Sequence, residues 1–531
     1  MYKKDFRSRL AVNRTDRISP KEGSVLLIVL IAIVLLSLSA YTFSILMITE
    51  DESARLMGRQ IQSRYLVESG VDYVRLFMSQ DPATIREAGG VWDNPSFVGA
   101  EVLSEVQVPG QIGRFTIVTA RIDDDGFVSG TRFGLQDEST KLNLNTLLLA
   151  DQFLPGAARS LLMALPNMTD EIADAILDWM DPDDEQRELG TEAGYYATLS
   201  PAYPCKNAPM DSIEELLLVR GVTPSLLFGL DHNHNGLVDP DELVSESANS
   251  VEPDMQLGWA NYLTLFSKES NLNREGLPRI NINNPDLIAL EAELRSVLDQ
   301  RWTNFILAYR INGPYSGTDE VDDDGNYLEL DLDETPTADF DQILDLIDAR
   351  TTIVNLDAEE EEKSEFVIES PVNTGNLAFT LPVIMDNLTT MQSESIPGRI
   401  NIMQAPRRVL AGIPGIDDEI IDQIIQKREY VLDDPDGADR LRNYSVWILA
   451  EQVVTLEQMK TMFPFVCAGG DVYRAEVVGY HDDGVGSSRA EVVLDTTVPL
   501  PRILFWRDKT HLQNGFTLDS WGTGLLDPGN Y

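Results

Sequence analysis

Hydrophobic and polar positions change their rhythm several times along this chain. Ser24–Thr49 carries no charged residue and directly follows Lys21-Glu22-Gly23. A stretch of that length exceeds the roughly 20 apolar residues needed to cross a bilayer. Beyond Glu50 the apolar residues thin to Met57, Ile61, Val67, Val71, Val74 and Met78, close to helical spacing. The pattern predicts one continuous helix from Ser24 to Met78, some 80 Å long at about 1.5 Å per residue. Its first half belongs in lipid, and its second half packs on a globular domain. A plain signal anchor followed by an ordinary helix would give the same pattern. A secretory signal would not, because its apolar core is about 7–15 residues and ends in a small-residue cleavage site. Here the glycine stands before the apolar stretch, so removal of the leader at Gly23 leaves the helix on the mature protein.

The rhythm then turns strand-like. Arg114–Arg121 and Phe127–Gln136 are rich in β-branched and aromatic residues and flank Asp123-Asp124-Asp125-Gly126, a hairpin turn signal. From Lys141 the pattern is helical: Thr169–Met180 sets Ile172, Ile176 and Trp179 on one face, and Ser212 with Glu215 forms a capping box. Strands return at Val472–Gly479, Arg489–Asp495 and Arg502–Trp506. Strands, a long helical block, then strands again imply a helical domain inserted into a β-sheet domain. Lys141-Leu142-Asn143-Leu144-Asn145, Arg279-Ile280-Asn281-Ile282-Asn283 and Arg399-Ile400-Asn401-Ile402 form a degenerate internal repeat. Each precedes a helix, and Asn bonds readily to nearby backbone as a turn or cap. Leu356–Phe366, with Glu359–Glu362, reads as a solvated, flexible charge run.

Charge orients this architecture. The formal net charge is −46 and the isoelectric point about 4.3, yet Lys3, Lys4, Arg7, Arg9, Arg14, Arg17 and Lys21 all precede the apolar segment, and Glu50-Asp51-Glu52 follows it. The positive-inside rule keeps the N-terminus cytoplasmic and exports the remainder. So acidic an exported portion repels phosphate backbones and attracts divalent cations. Cys205 and Cys467 are one widely spaced pair, which makes no disulfide framework.

Candidate chemistry centres on Asp231–Glu242. Oxygen-bearing side chains stand at calcium-loop positions 1, 3 and 5 (Asp231, Asn233, Asn235), Gly236 at 6 and Glu242 at 12. Leu237 would offer its carbonyl, Glu242 both carboxylate oxygens, and Asp239 a water-mediated contact while capping the helix begun by Pro240. His232 and His234 occupy positions that point away from the ion, which argues against zinc. Val238 is the expected apolar residue packing the loop on its domain. Asp322-Asp323-Asp324-Gly325-Asn326 has its glycine displaced and reads as an acidic turn. Leu410–Asp417 within Pro406–Arg428 is similar to a helix-hairpin-helix. However, Asp417-Asp418-Glu419 stands where phosphate would lie, and Arg407, Arg408, Lys427 and Arg428 do not offset the overall field. A packing role is expected, with no nucleic acid partner. P-loop, Rossmann, nucleophile-elbow and HExxH signatures are missing from the sequence, so no enzyme is expected.

Taken in order, the motifs resemble the K-type minor pseudopilins of the type II secretion system. The resemblance runs from about Lys21 to Arg507. It includes the leader and helix with Tyr65–Val71, then Asp137-Glu138 before the first Asn motif. It continues through Asp178–Glu185, Tyr195-Tyr196, Ser212–Leu216, Val219–Thr223 and Tyr262-Leu263-Thr264, and ends with Ile503–Arg507. It implies an α+β fold: a pilin-like N-terminal helix packed on an antiparallel sheet, with a large, mostly helical domain inserted between strands. The domains would be a leader (1–23), the helix (24–80), a discontinuous pilin-like domain (81–140 and 466–531) and the insert (141–465). It further implies cleavage between Gly23 and Ser24 by prepilin peptidase, N-methylation, structural calcium, and an inner-membrane anchor with the bulk in the periplasm at the pseudopilus tip. Expected partners are the I- and J-type minor pseudopilins, the major pseudopilin and secreted proteins. Ile28, fifth after Gly23, stands where most pilins carry Glu. A tip subunit has no neighbour ahead whose amine that carboxylate would neutralise.

Overall fold

The computed structural model describes residues 20–102, 112–122, 128–243, 256–321, 327–354, 365–428, 440–512, 515–516 and 521. The leader before residue 20, the Asp123–Gly126 turn, the Asp322–Asn326 turn and the Glu359–Glu362 run lie outside them. By internal contact the chain forms two units, Met1–Gln62 and Ser63–Tyr531.

A single helix, α1, runs Pro20–Met78, so Gly23 and Ser24 lie within it. In the first unit every residue from Val25 to Glu50 is exposed, and the helix is long and apolar enough to cross a membrane. In the second unit the pattern becomes one-sided. Val67, Val71, Val74 and Phe77 are buried against Phe97, Phe115, Ile117, Leu135, Ala475, Val477, Val492 and Leu494. Two glycines allow the close approach. A Cβ at Gly70 would lie 2.6 Å from Val477 Cγ1, and one at Gly479 would lie 2.4 Å from the Ser63 carbonyl oxygen.

The sheet beneath α1 is antiparallel and drawn from both ends of the second unit. β1 (Ala100–Glu101), β2 (Gly113–Ile122), β3 (Val128–Arg132) and β4 (Gln136–Asp137) precede the insert. β5 (Val472–His481), β6 (Ser488–Asp495) and β7 (Arg502–Asp508) follow it. The order is β1-β2-β5-β6-β7, with β3 on β2 and β4 on β5, and the central register sets Glu476 opposite Val118. The expected strand 127–136 is broken in two. Asn94 N–H donates to the Phe133 carbonyl (2.7 Å) and Leu135 N–H to the Val91 carbonyl (2.8 Å), so the backbone leaves the ladder to hold the 91–94 segment.

Residues between β4 and β5 form their own core, centred on Trp179, Trp259, Leu307, Ile384, Ile424 and Trp447. This region is not purely helical, as the spacing suggested. Short ladders run through it, and all three Asn motifs lie in parallel two-residue pairs: Leu142 with Leu263, Ile280 with Leu388, and Ile400 with Val466. In each motif the first Asn accepts from the backbone N–H two residues on: Asn143 from Asn145 (3.1 Å), Asn281 from Asn283 (3.0 Å) and Asn401 from Met403 (2.9 Å). The second Asn of the first two motifs clamps a distant backbone from both sides. Asn145 holds Met210 (3.0 and 2.8 Å) and Asn283 holds Phe340 (2.9 and 2.9 Å). Met210 and Phe340 each stand two residues before a capping box, at Ser212 and Gln342. Cys205 and Cys467 are free thiols.

Candidate metal centre

The 231–242 segment wraps as a loop because two residues adopt left-handed backbone, His234 (φ 55°) and Gly236 (φ 80°). Asp231 is buried, and its carboxylate accepts from the N–H groups of Asn235 (3.0 Å) and Gly236 (2.9 Å). Asn233 and Asn235 close successive Asx turns onto the N–H groups of Asn235 (3.0 Å) and Leu237 (2.8 Å). Their amide N–H groups both donate to Asp239 Oδ2, at 2.7 and 3.0 Å. Glu242, in the short helix Pro240–Leu243, folds back over the loop. Its Oε1 accepts from His232 and Asn233 N–H (2.8 and 3.2 Å), and its Oε2 from Asp239 N–H (2.9 Å). Three carboxylates and two amide oxygens thus share one turn of chain. Burial, with the Glu242 charge adding to it, pushes Asp231 up to about 6 although its backbone donors and Lys509 oppose this.

That donor set, all hard oxygens, fits calcium in kind and in wrap. Bound calcium would supply the positive charge around which these carboxylates close. The imidazoles turn elsewhere: His232 Nδ1 lies 2.5 Å from the Leu230 carbonyl, and the His234 ring stacks on Phe228 with centroids 4.5 Å apart. Burial and nearby Lys509 and Arg507 hold His234 down to about 4. The apolar residue that packs the loop is Leu237 rather than Val238. Its side chain meets Val118, Val478, Tyr480, Phe516 and Trp521, because the loop presents position 7 to the sheet.

A second acidic centre lies at the end of helix Asp170–Met180. Asp178, the C-capping Asp181 and Glu192 are all buried, with carboxylate oxygens within 4.8 Å of one another. Asp178 is fully engaged: Arg187 Nη1 donates at 2.8 Å and Thr191 N–H at 2.6 Å. Asp181 Oδ2 also accepts from Arg187. However, Asp181 Oδ1 and both oxygens of Glu192 make no hydrogen bond of good geometry, and the groups beside Glu192 are the weak Cys205 thiol and the Ala193 N–H. Burial first, then the Asp178 and Asp181 charges, raise Glu192 above its ordinary range. Buried acceptors without donors are costly, and an arrangement of this kind suits a hard cation. The spacing of Asp178 and Asp181 puts both on one helix face, but only folding brings Glu192 against them. In the sequence Asp178 and Asp181 stand out as motif residues, without a ligand role.

The helix-hairpin-helix-like segment forms helices Arg407–Leu410 and Asp418–Arg428, with Gly415 at φ 86° between them. Its hairpin is packed inward: a Cβ at Gly412 would lie 2.9 Å from the Leu161 carbonyl oxygen. Arg407 pairs with Asp422, Lys427 with Glu451 (3.1 Å), and Arg428 donates to the Ala405 carbonyl (2.7 Å). Arg407, Lys427 and Arg428 beside the hairpin are therefore already engaged.

Comparison with known proteins gives one family. Residues 140–232, which hold the second centre and open into the loop, match the family model described as Type II secretion system (T2SS), protein K. Comparison with curated proteins found no match. Among solved structures the chain aligns with the GspK-GspI-GspJ complex from the enterotoxigenic Escherichia coli type 2 secretion system. The alignment covers 87% of this chain and 98% of that chain at 11% identity, with a TM-score of 0.27. Residues 140–232 are thus similar to type II secretion system protein K, the family that the order of the motifs resembles.

Proposed function

We propose that the protein is a non-catalytic minor pseudopilin of the K type, standing at the tip of the type II secretion pseudopilus. There it initiates assembly and supports export across the outer membrane. The observation that carries this is the match of residues 140–232 to protein K, behind an apolar N-terminal helix long enough to span a membrane. Prepilin peptidase cleaves between Gly23 and Ser24, the apolar helix anchors the chain in the inner membrane, and the bulk lies in the periplasm. The insert between β4 and β5 forms the helical domain. I- and J-type minor pseudopilins are its neighbours and the major pseudopilin follows. Calcium binds the 231–242 loop through Asp231, Asn233, Asn235, Leu237, Asp239 and Glu242, and a second ion joins Asp178, Asp181 and Glu192.

The competing reading is a membrane-anchored DNA receptor using the 406–428 hairpin. The paired cations and the exposed Asp417-Asp418-Glu419 run disfavour it. A gel-shift assay at low salt separates the two: no retardation is expected, and salt-sensitive retardation overturns the pseudopilin reading. For calcium, chelation lowers the melting temperature, and Asp231→Ala or Glu242→Ala removes the loop's share of that change. A melt insensitive to chelator removes both sites.

A further inference from the structure

The 231–242 loop is fastened to the sheet by two buried cations. Arg489, on β6, donates to the Asn233 carbonyl and to the Leu512 carbonyl (3.3 Å). Lys509, just past β7, donates to the His234 carbonyl at 2.6 Å. These side chains are 1% and 6% exposed, so neither can trade its partners for water. Both are held from the other side by sheet acids: Arg489 by Glu476 (2.8 Å), Lys509 by Glu476 (3.0 Å) and Glu491 (2.8 Å). The loop answers with two contacts of its own. The Asn235 amide donates to the Gly515 carbonyl, and Leu237 packs with Phe516 and Trp521. Gly515 sits so tightly that a Cβ there would collide with Arg489 Nη1.

The carbonyls that Arg489 and Lys509 hold belong to calcium-loop positions 3 and 4, and Asn235 is position 5. The segment that wraps the ion is therefore also the segment that carries the seam. We propose that the cation-loaded loop is a clasp that fixes the described residues after β7, Lys509–Leu512, Gly515, Phe516 and Trp521, onto the sheet. This rests on the calcium reading of the loop. Unwinding the loop withdraws the Asn233 and His234 carbonyls together, leaving two buried cations short of an acceptor. Conversely, any opening of the seam that dissolves the loop must release the ion. Linkage suppresses such an opening by a factor of 1 + [Ca²⁺]/Kd, about 100-fold at about 100 times the dissociation constant.

The test is hydrogen exchange on the full chain in detergent, with calcium and with chelator, alongside calorimetric calcium titration. The reporters are the Lys509 N–H, bonded to the Arg489 carbonyl at 3.0 Å, and the Leu512 N–H, bonded to the Lys509 carbonyl at 2.9 Å. Calcium should slow their exchange by about 100-fold at about 100 Kd. The slowing should vanish in Glu242→Gln, which spares the Asp178 centre, and shrink in Lys509→Met while calcium still binds. If Lys509→Met does not fold, the wild-type and Glu242→Gln comparison decides. Calcium binding that Glu242→Gln abolishes, with equal exchange at these amides in calcium and chelator, overturns the clasp but leaves the calcium loop standing. Absence of calcium binding at the loop overturns both.

Discussion

The joint between the start of the insert and the sheet turns on Glu138, and its removal has a calculable cost. Glu138 is fully buried and receives Arg474 from β5 as a two-pronged pair (Nε 2.7 Å, Nη2 2.8 Å), with the Thr264 hydroxyl donating to the same carboxylate. Truncating one partner of a buried pair costs about 3–5 kcal/mol, because the other charge stays buried. Arg474 retains Glu491, so Glu138→Ala belongs at the lower end, about 3 kcal/mol. Urea unfolding of the full chain in detergent reads this through the buried Trp259, Trp447 and Trp521. The pH arm fixes the cause. Burial raises the Glu138 pKa, but Arg474, Lys141 and Thr264 outweigh it and hold the carboxyl below the ordinary glutamate range. A depressed folded value means the stabilisation is complete above the unfolded value and is lost as pH falls through the folded one. Between about pH 8 and 5 the buried Lys141, which Glu138 holds up and which titrates at about 7, deepens the wild-type minus Glu138→Ala difference, and below about 4.5 the difference should shrink. A loss under about 1 kcal/mol, or a difference that keeps growing below about pH 4.5, refutes the pairing argument.

Other residues give sharper yes-or-no outcomes. In chelator, Glu192→Gln should stabilise the protein by about 1 kcal/mol, because it removes a buried charge set against those of Asp178 and Asp181. In calcium it should remove the stabilisation contributed by that centre, and an equal loss in both conditions speaks against a cation there. Gly479→Ala forces a Cβ to within 2.4 Å of the Ser63 carbonyl oxygen. Overpacking of that kind should cost about 1–3 kcal/mol in a thermal melt, and an unchanged melt contradicts the close helix–sheet approach.

How legible this was in the sequence depended on how local each signal is. The long helix announces itself through period, and every expected strand of the sheet but one lies within a residue or two of an observed one (β2, β5, β6 and β7), while the two-residue β1 carries no such signal. The exception, 127–136, is broken by hydrogen bonds to the 91–94 segment, which no local pattern encodes. The parallel pairs of the insert escaped because two-residue strands have no period, and their partners are far off, as with Leu142 and Leu263. The loop from Asp231 to Glu242 was legible because its oxygen donors recur at fixed offsets. The Asp178 centre was half legible: Asp178 and Asp181 stand three apart, but what marks Glu192 is its burial against their charges, which only the fold creates. Arg489 and Lys509 look like ordinary strand cations until the seam is seen.

The central claim is that a leader is removed at Gly23 and the apolar helix is kept, as a pseudopilus subunit requires. Intact mass spectrometry of the membrane-extracted protein tests this most directly. A chain that begins at Ser24 is the predicted result, whereas a chain that still begins at Met1 contradicts it and leaves only a signal-anchored protein.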